Sequence, residues 1–343
     1  MTYRMLGSSG VKVYPLCLGT MNFGNDGWGC DEDTSVAILN RYLDRGGNFV
    51  DTANVYSGGR SEEILGRALE GRRDDVVLAT KGYFPLGPDP NRTGNSRRNL
   101  RRSVEDSLRR LRTDRIDLYQ LHIWDPLTPI EETLGVLDDM VHEGLIHYLG
   151  CCNFTAWQIA LAQERADQNG LERFVTVQPQ YNLLCRDIEI EIMGVADYYD
   201  MGILPWSPLA FGLLSGKYDR ASHTGPGGAR MNDPHENDVM AKWKQRTFTD
   251  DTFDVIDLLK VDAERLGTTP VALSLRWLLE QPAVASPIVG PRTVEQLDQN
   301  LDAAELEVDT DTLDRLDAAT VPYETYLDFM QAGYLSRRTE DLD

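Results

Sequence analysis

The chain has 343 residues, with 55 Asp and Glu against 34 Lys and Arg, giving a formal net charge of −21. That charge repels nucleic acid and anionic membranes, so neither is expected as a partner, and an anionic ligand must be held by local groups. Hydrophobic residues at 41% and aromatics at 8% allow a sizeable core and exclude a disordered chain, and the length suits one large α/β barrel or two ordinary domains.

The first residues, MTYRMLGSSGVKV, lack the apolar run of a secretory signal. Positions 6–11, with Gly7-Ser8-Ser9-Gly10, predict a turn between two short strands. Apolar runs rich in β-branched residues then predict strands over 15–19, 47–51, 76–80, 116–121, 146–150, 174–178, 203–206 and 284–289. Amphipathic stretches over 33–45, 61–70, 97–111, 129–142 and 156–169 predict helices between them, with Asp31 and Ser61 as N-caps. Strands and helices alternating in this way specify an α/β fold, a (β/α)8 TIM barrel with an N-terminal β-hairpin, filling 1–343 as one domain. The rival is a doubly wound sheet, but the first strand–helix turn lacks its G-x-G-x-x-G. After the seventh strand, 217–251 shows no strand period and contains Gly225-Pro226-Gly227-Gly228 and Asp233-Pro234, which predicts a long cofactor or lid loop. The charged end, 336–343, is expected to fray.

The five cysteines, Cys17, Cys30, Cys151, Cys152 and Cys185, are odd in number and form no C-x-x-C, so a reducing, cytoplasmic setting is expected. The histidines have no metal-ligand spacing, and no metal is expected. The apolar stretch 203–214 is too short to span a bilayer and holds Pro205 and Pro208. Lysine occurs at only six positions, the rest of the positive charge being arginine. Adaptation to high salt and codon bias account for this equally well.

Several predicted strands end on polar residues: Asp51 with Tyr56 just beyond it, Lys81, and His122. In a closed barrel the C-terminal strand ends and the loops after them form the catalytic face, where these four would converge. Taken singly each has an ordinary explanation, such as a cap, a loop aromatic or a surface lysine.

The chain resembles the aldo-keto reductases, NAD(P)H-dependent carbonyl reductases on a (β/α)8 barrel, over nearly its whole length. The resemblance rests on Leu18-Gly19-Thr20-Met21-Asn22-Phe23-Gly24, Asp51-Thr52-Ala53-Asn54-Val55-Tyr56, Ser61-Glu62-Glu63-Ile64-Leu65-Gly66 and the stretch from Asp114 to His122. It continues through Cys152-Asn153-Phe154, Gln178-Pro179-Gln180-Tyr181-Asn182, Trp206-Ser207-Pro208-Leu209 and the stretch from Gly290 to Asn300. The run Gly212-Leu213-Leu214-Ser215-Gly216-Lys217 is similar to the bacterial aryl-alcohol-dehydrogenase-like branch.

The resemblance implies a catalytic tetrad of Asp51, Tyr56, Lys81 and His122. Tyr56 would be the general acid, its pKa lowered by Lys81; Asp51 would hold Lys81, and His122 would orient the carbonyl oxygen. Gly19, Thr20, Met21 and Asp51 are implied near the cofactor, as is Cys152, which stands where the family usually has Ser. Asn153 and Gln178 would bond the nicotinamide carboxamide, and Trp206 would stack on its ring. Ser207, Pro208, Leu209, Gly212, Leu214 and Lys217 would face the pyrophosphate. At the adenosine end, Gly290, Arg292, Gln296, Gln299 and Asn300 are implied, with Thr293 capping the helix and Arg292 taking the 2′-phosphate. The family often has Arg where this chain has Gln296. With Arg292 implied at the 2′-phosphate, NADP(H) is expected ahead of NAD(H). An aromatic substrate pocket is expected from Met21, Phe23, Trp28, Tyr56, Phe84, His122, Trp124 and Phe211.

The implied function is reversible reduction of an aldehyde or ketone, on a small-molecule substrate, by a monomer or homo-oligomer. Two other functions stay open. One is a cofactor-binding regulatory subunit like the potassium-channel β-subunits; the other is a reductase of keto-sugar intermediates. Fold alone does not choose between them.

Overall fold

The computed structural model describes residues 2–227, 229–232, 238–322, 324–327 and 329–330. The expected frayed end, 336–343, lies outside the described residues.

The hairpin forms first, with β1 (Arg4–Met5) antiparallel to β2 (Lys12–Val13). Eight strands then lie parallel in one sheet. They are β3 (Cys17–Gly19), β4 (Phe49–Asp51), β5 (Val77–Gly82), β6 (Ile116–Leu121), β7 (Ile146–Cys152), β8 (Phe174–Gln178), β9 (Gly202–Ile203) and β10 (Ile288–Val289). From β3 to β9 each pairs with the next in sequence, and β10 pairs with β3 at the other edge, leaving a seam between β9 and β10. The seam is narrow: Ile203 bridges Val284, and the Ile288 amide donates to the Pro205 carbonyl at 2.9 Å. The last two strands are shorter than predicted because Pro205 and Pro287 lack the amide a ladder needs.

Helices α1 (Glu32–Asp44), α2 (Arg60–Ala68), α3 (Arg97–Leu111), α4 (Ile130–His142), α5 (Ala156–Asn169) and α6 (Ile192–Tyr198) alternate with the strands. After β9 come α7 (Asp238–Thr247), α8 (Asp250–Arg265) and α9 (Pro270–Glu280), and after β10 come α10 (Val294–Leu301) and α11 (Thr310–Ala319). Asp31 caps α1 by accepting from the Thr34 amide, as expected. Ser61 does not cap α2. That helix begins one residue earlier, after Gly59 at φ 101°, and the Ser61 hydroxyl donates instead to the Thr20 carbonyl at 2.8 Å. Glu62 is buried beside it, accepting from Thr80 Oγ1 at 2.6 Å and Arg110 Nε at 2.7 Å, so the α2 start is pinned to the barrel by polar bonds.

Strand periodicity decides what lies inside the barrel. Cys17, Phe49, Ala79, Leu118 and Leu204 form an apolar inner layer, joined by Leu6 and Val13 from the hairpin. Gly7, at φ 57°, lets the hairpin turn press against the strand starts; a Cβ there would sit 2.0 Å from the Val175 carbonyl oxygen. Two residues further along β4, β5 and β6, on the same face, the side chains become Asp51, Lys81 and Gln120. The interior is thus apolar below and polar at its C-terminal end.

The 217–251 segment is more ordered than a plain loop. It contains a 3-10 turn at Arg230–Asn232 and all of α7, and it buries Tyr218, Ala229 and Met231. Trp243 of α7 packs edge-on against Phe211 at 4.5 Å, giving this helix an anchor that its mixed charge pattern concealed.

Candidate active site

Asp51 ends β4 in register with Gly19 and Ala79, and Lys81 on β5 lies beside Gln120 on β6. Lys81 Nζ donates to Asp51 Oδ1 at 2.5 Å and to the Thr52 carbonyl at 2.8 Å. The other carboxylate oxygen accepts from Gln120 Nε2 at 2.9 Å and from Gln178 Nε2 at 3.0 Å. Gln120 Oε1 in turn accepts from Gln178 Nε2 at 3.1 Å and from the Cys152 thiol at 3.6 Å. Each of these side chains is buried, so this is an ion pair enclosed by amide donors. Such a pair survives burial only when its remaining lone pairs are satisfied, which the two glutamines do.

Burial works to lower the Lys81 pKa, but Asp51, then Tyr56 and Cys152, offset it, and the net shift is upward. Lys81 is therefore a fixed ammonium. Burial raises the Cys152 thiol against the opposing pull of Lys81, so it stays neutral.

Tyr56 follows β4 and opens a turn in which Ser57, Gly58 and Gly59 all have positive φ. The Lys81 ammonium lies 5.2 Å from the centre of its ring. The His122 ring stands edge-on to it at 6.0 Å, and the Phe84 ring stands edge-on to His122 at 4.8 Å. Burial pushes the Tyr56 pKa up to about 12, outweighing the downward pull of Lys81. The expected lowering by Lys81 is present but is the smaller effect. Burial and then the Lys81 charge push His122 down to about 3, so its imidazole is neutral. Its Nδ1 is buried with no hydrogen-bond partner among the described residues.

On the far side of the mouth, Asn153 takes φ 56°, a conformation Asn tolerates, and its side-chain Nδ2 donates to the His122 carbonyl at 3.1 Å. Its side-chain Oδ1 accepts from Trp206 Nε1 at 2.9 Å. Beyond Trp206 the backbone curls, with positive φ at Ser207, Ala210, Phe211 and Gly212. Lys217 closes over this curl, its Nζ only 2.8 Å from where a Gly212 Cβ would be. Thr293 caps α10 by accepting from the Gln296 amide. Asn22 Nδ2 ties the loop after β3 to the Pro291 carbonyl at 2.5 Å, and Arg292 Nη1 donates to the Trp28 carbonyl at 3.3 Å.

Arg230 is a site residue that sequence reasoning missed. Its guanidinium lies between the rings of Trp28, at 4.3 Å, and Phe211, at 4.6 Å. Burial lowers its pKa to about 10, and the Arg292 charge acts in the same direction. Burial and then Arg292 lower Lys217 as well. Neither Arg230 nor Lys217 has a carboxylate partner among the described residues. Like charges gathered this way in a chain of net −21 suit a polyanionic ligand.

Other expected site residues sit less directly. Thr20 is buried, bonding the Asp51 carbonyl through its amide and hydroxyl, while Gly19, Met21 and Gly290 line the adjoining strand ends. Phe23 and Leu214 are wholly buried in the apolar core and offer no side-chain surface to a pocket. Pro208 is buried too, whereas Leu209 is half-buried and packs against the core. Gln296 does not extend along one face with Asn300 but folds back, its Oε1 accepting from the Arg292 amide at 3.0 Å. Asn300 is buried and Gln299 exposed. Trp124 is half-buried against Phe154.

The sequence profile of the aldo/keto reductase family matches residues 15–321, which takes in the whole barrel and every strand end described above. The chain belongs to the aldo/keto reductase family. It is 40% identical to the uncharacterized oxidoreductase YrpG of Bacillus subtilis over 91% of this chain and 94% of that protein. It is 35% identical to the norsolorinic acid reductase stcV of Emericella nidulans, over 92% of this chain and 80% of that one. A probable voltage-gated potassium channel subunit beta of Arabidopsis thaliana is 34% identical, over 89% and 92% respectively. An aldo-keto reductase is an oxidoreductase that acts on small-molecule carbonyls with a nicotinamide cofactor, and this chain is such an enzyme. Among the described residues no helix is long and apolar enough to cross a membrane, and no cluster of His, Cys, Asp or Glu could hold a metal.

Proposed function

We propose that this enzyme reduces an aldehyde or ketone to the alcohol, reversibly, using NADP(H) in preference to NAD(H), with Tyr56 as the proton donor. The observation that carries the reading is the enclosed Asp51–Lys81 pair beneath Tyr56, with neutral His122 beside it. When bound, the reduced nicotinamide supplies the hydride that adds to the carbonyl carbon. The Tyr56 hydroxyl gives its proton to the carbonyl oxygen as negative charge gathers there. The phenolate left behind is stabilised by the Lys81 ammonium, which Asp51 keeps charged and in place. His122 donates a hydrogen bond to the same oxygen and, being neutral, adds no competing acid.

Asn153 and Gln178 are the residues to orient a carboxamide, and Trp206 the flat surface for the ring. The curl after Trp206, with Lys217 and Arg230, suits a pyrophosphate. Arg292, at the start of α10, suits a 2′-phosphate, because a guanidinium forks onto phosphate oxygens. Segment 217–251 would then act as a lid that holds the cofactor through Lys217 and Arg230.

A panel of carbonyl compounds followed by NADPH absorbance tests this. Steady turnover of simple aldehydes is the expected result. A single oxidation of bound NADPH without turnover would favour the regulatory reading that the potassium-channel relative motivates. Turnover confined to keto-sugars would narrow the substrate instead.

A further inference from the structure

Gln120 is wholly buried inside the barrel, two residues beyond Leu118 of the apolar inner layer. An amide enclosed there costs free energy unless its hydrogen bonds are made, so those bonds show what it holds. Its Nε2 donates to Asp51 Oδ2 at 2.9 Å. Its Oε1 accepts from Gln178 Nε2 at 3.1 Å and from Cys152 Sγ at 3.6 Å. A carboxylate can only accept, so Asp51 decides which end of the Gln120 amide faces it. The oxygen end is left to Gln178 and Cys152.

The consequence falls on Gln178. An amide nitrogen carries two protons, and those of Gln178 go to Asp51 Oδ2 at 3.0 Å and to Gln120 Oε1. Its own Oε1 accepts from none of the described residues. Cys152 gives its single thiol proton to Gln120 as well. Cys152 and Gln178 end β7 and β8 in register with each other, and the Asn153 backbone amide donates to the Gln178 carbonyl at 3.2 Å. Two potential donors beside Asn153 are thus turned inward, and an acceptor remains.

We propose that Gln120 is a positioning residue for the cofactor. By drawing in the Gln178 and Cys152 donors, it makes the site read a nicotinamide carboxamide through its N–H group and not through its carbonyl oxygen. The inference rests on the reading of Gln178 as a carboxamide contact and names the residue that sets the polarity of that contact. Gln120 acts through its two neighbours. The same amide joins them to Asp51, so the carboxylate that holds Lys81 also orders the nicotinamide side of the site.

The test is calorimetric titration with NADP+ and with its 3-acetylpyridine analogue, in which a methyl group replaces the carboxamide nitrogen. The analogue keeps the carbonyl and loses the N–H. The wild type should bind it about 2- to 12-fold more weakly than NADP+, the scale of one neutral hydrogen bond. In Gln120→Met the freed Gln178 and Cys152 donors can meet the carbonyl, so this ratio should fall toward one. Gln120→Glu keeps an acceptor oxygen at the same reach and should retain the wild-type ratio. Gln163→Met is the control: Gln163 is a buried amide at the other end of β8, where its Nε2 donates to the Phe174 carbonyl at 2.9 Å and its Oε1 accepts from the Phe174 amide at 3.0 Å. Its loss should lower the urea midpoint and leave the ratio alone. A Gln120→Met protein with a lowered midpoint and the wild-type ratio would make Gln120 merely structural and overturn the proposal. Equal wild-type affinity for the two cofactors would also overturn it, and that comparison needs no variant to fold. The titration needs no turnover, so a failed carbonyl panel leaves it readable. A protein that binds neither NADP+ nor NAD+ would remove the nicotinamide reading and the role of Gln120 with it.

Discussion

The Lys81 ammonium stands 5.2 Å from the centre of the Tyr56 ring while its hydrogen bonds go to Asp51 and the Thr52 carbonyl. The charge that acts on the phenol is thus held from below, by groups that never need to touch a substrate. This arrangement separates two properties that mutation can test independently: the stability of the buried pair, and the proton supply at Tyr56.

The pH dependence follows from two opposite shifts. With Tyr56 raised to about 12 and His122 lowered to about 3, neither group changes charge near neutrality. Reduction needs Tyr56 protonated, so its kcat should be flat from about pH 5 to about pH 9. Oxidation of the alcohol needs the phenolate, whose fraction grows as pH rises toward the Tyr56 pKa, so that rate should climb with pH across the same interval. Rate profiles in both directions check this; a reductive limb near the ordinary histidine range would mean that His122 titrates.

Breaking the pair should be costly. Asp51→Asn leaves Lys81 buried without its counter-charge, and removing one partner of a buried ion pair costs about 3–5 kcal/mol. Urea unfolding of the variant is expected to show a lower midpoint with an unchanged slope. A midpoint equal to that of the wild type would mean that the Thr52 carbonyl, the other acceptor from Lys81, can hold the ammonium without the carboxylate.

Cofactor choice should divide between two arginines. Arg292→Ala is expected to weaken NADPH binding by about 1.5–3 kcal/mol, the range for a hydrogen bond to a charged group, and to spare NADH. Arg230→Ala should weaken both cofactors, because a pyrophosphate is common to them. Titration with each cofactor separates the two roles, and equal losses of NADPH and NADH in Arg292→Ala would remove Arg292 from the 2′-phosphate.

Much of this was legible in the sequence. Asp51, Tyr56, Lys81 and His122 could be picked out because each follows an apolar run, and the strand period places such residues at one end of a barrel. Gln120 escaped because it sits inside its run, flanked by Tyr119 and Leu121, where only the inward parity it shares with Leu118 marks it. Arg230 escaped because its partners, Trp28 and Phe211, lie far away in sequence and meet it only after folding. Phe23 misled for the opposite reason: its motif runs beside the site, but its side chain turns into the core. Helix α7 was hidden by charge, since the Trp243–Phe211 ring contact and the Arg246–Asp187 ion pair that hold it join residues far apart in sequence.

The segment over the site should respond to cofactor. Lys242, Lys244 and Arg246 lie on α7, which joins the core through few apolar contacts, so local opening should expose them to trypsin. If Lys217 and Arg230 grip a bound phosphate, saturating NADPH should slow cleavage in 217–251. Identical digestion patterns with and without NADPH would leave this segment a static part of the surface.

The most direct measurement is the turnover of Tyr56→Phe. The variant keeps the ring beside Lys81 and His122 and loses only the hydroxyl, so NADPH binding should be nearly unchanged. Loss of a general acid typically costs about 100-fold or more, and kcat for an aldehyde should fall by at least that much. A variant that binds NADPH and retains wild-type kcat would contradict the assignment of the proton donor.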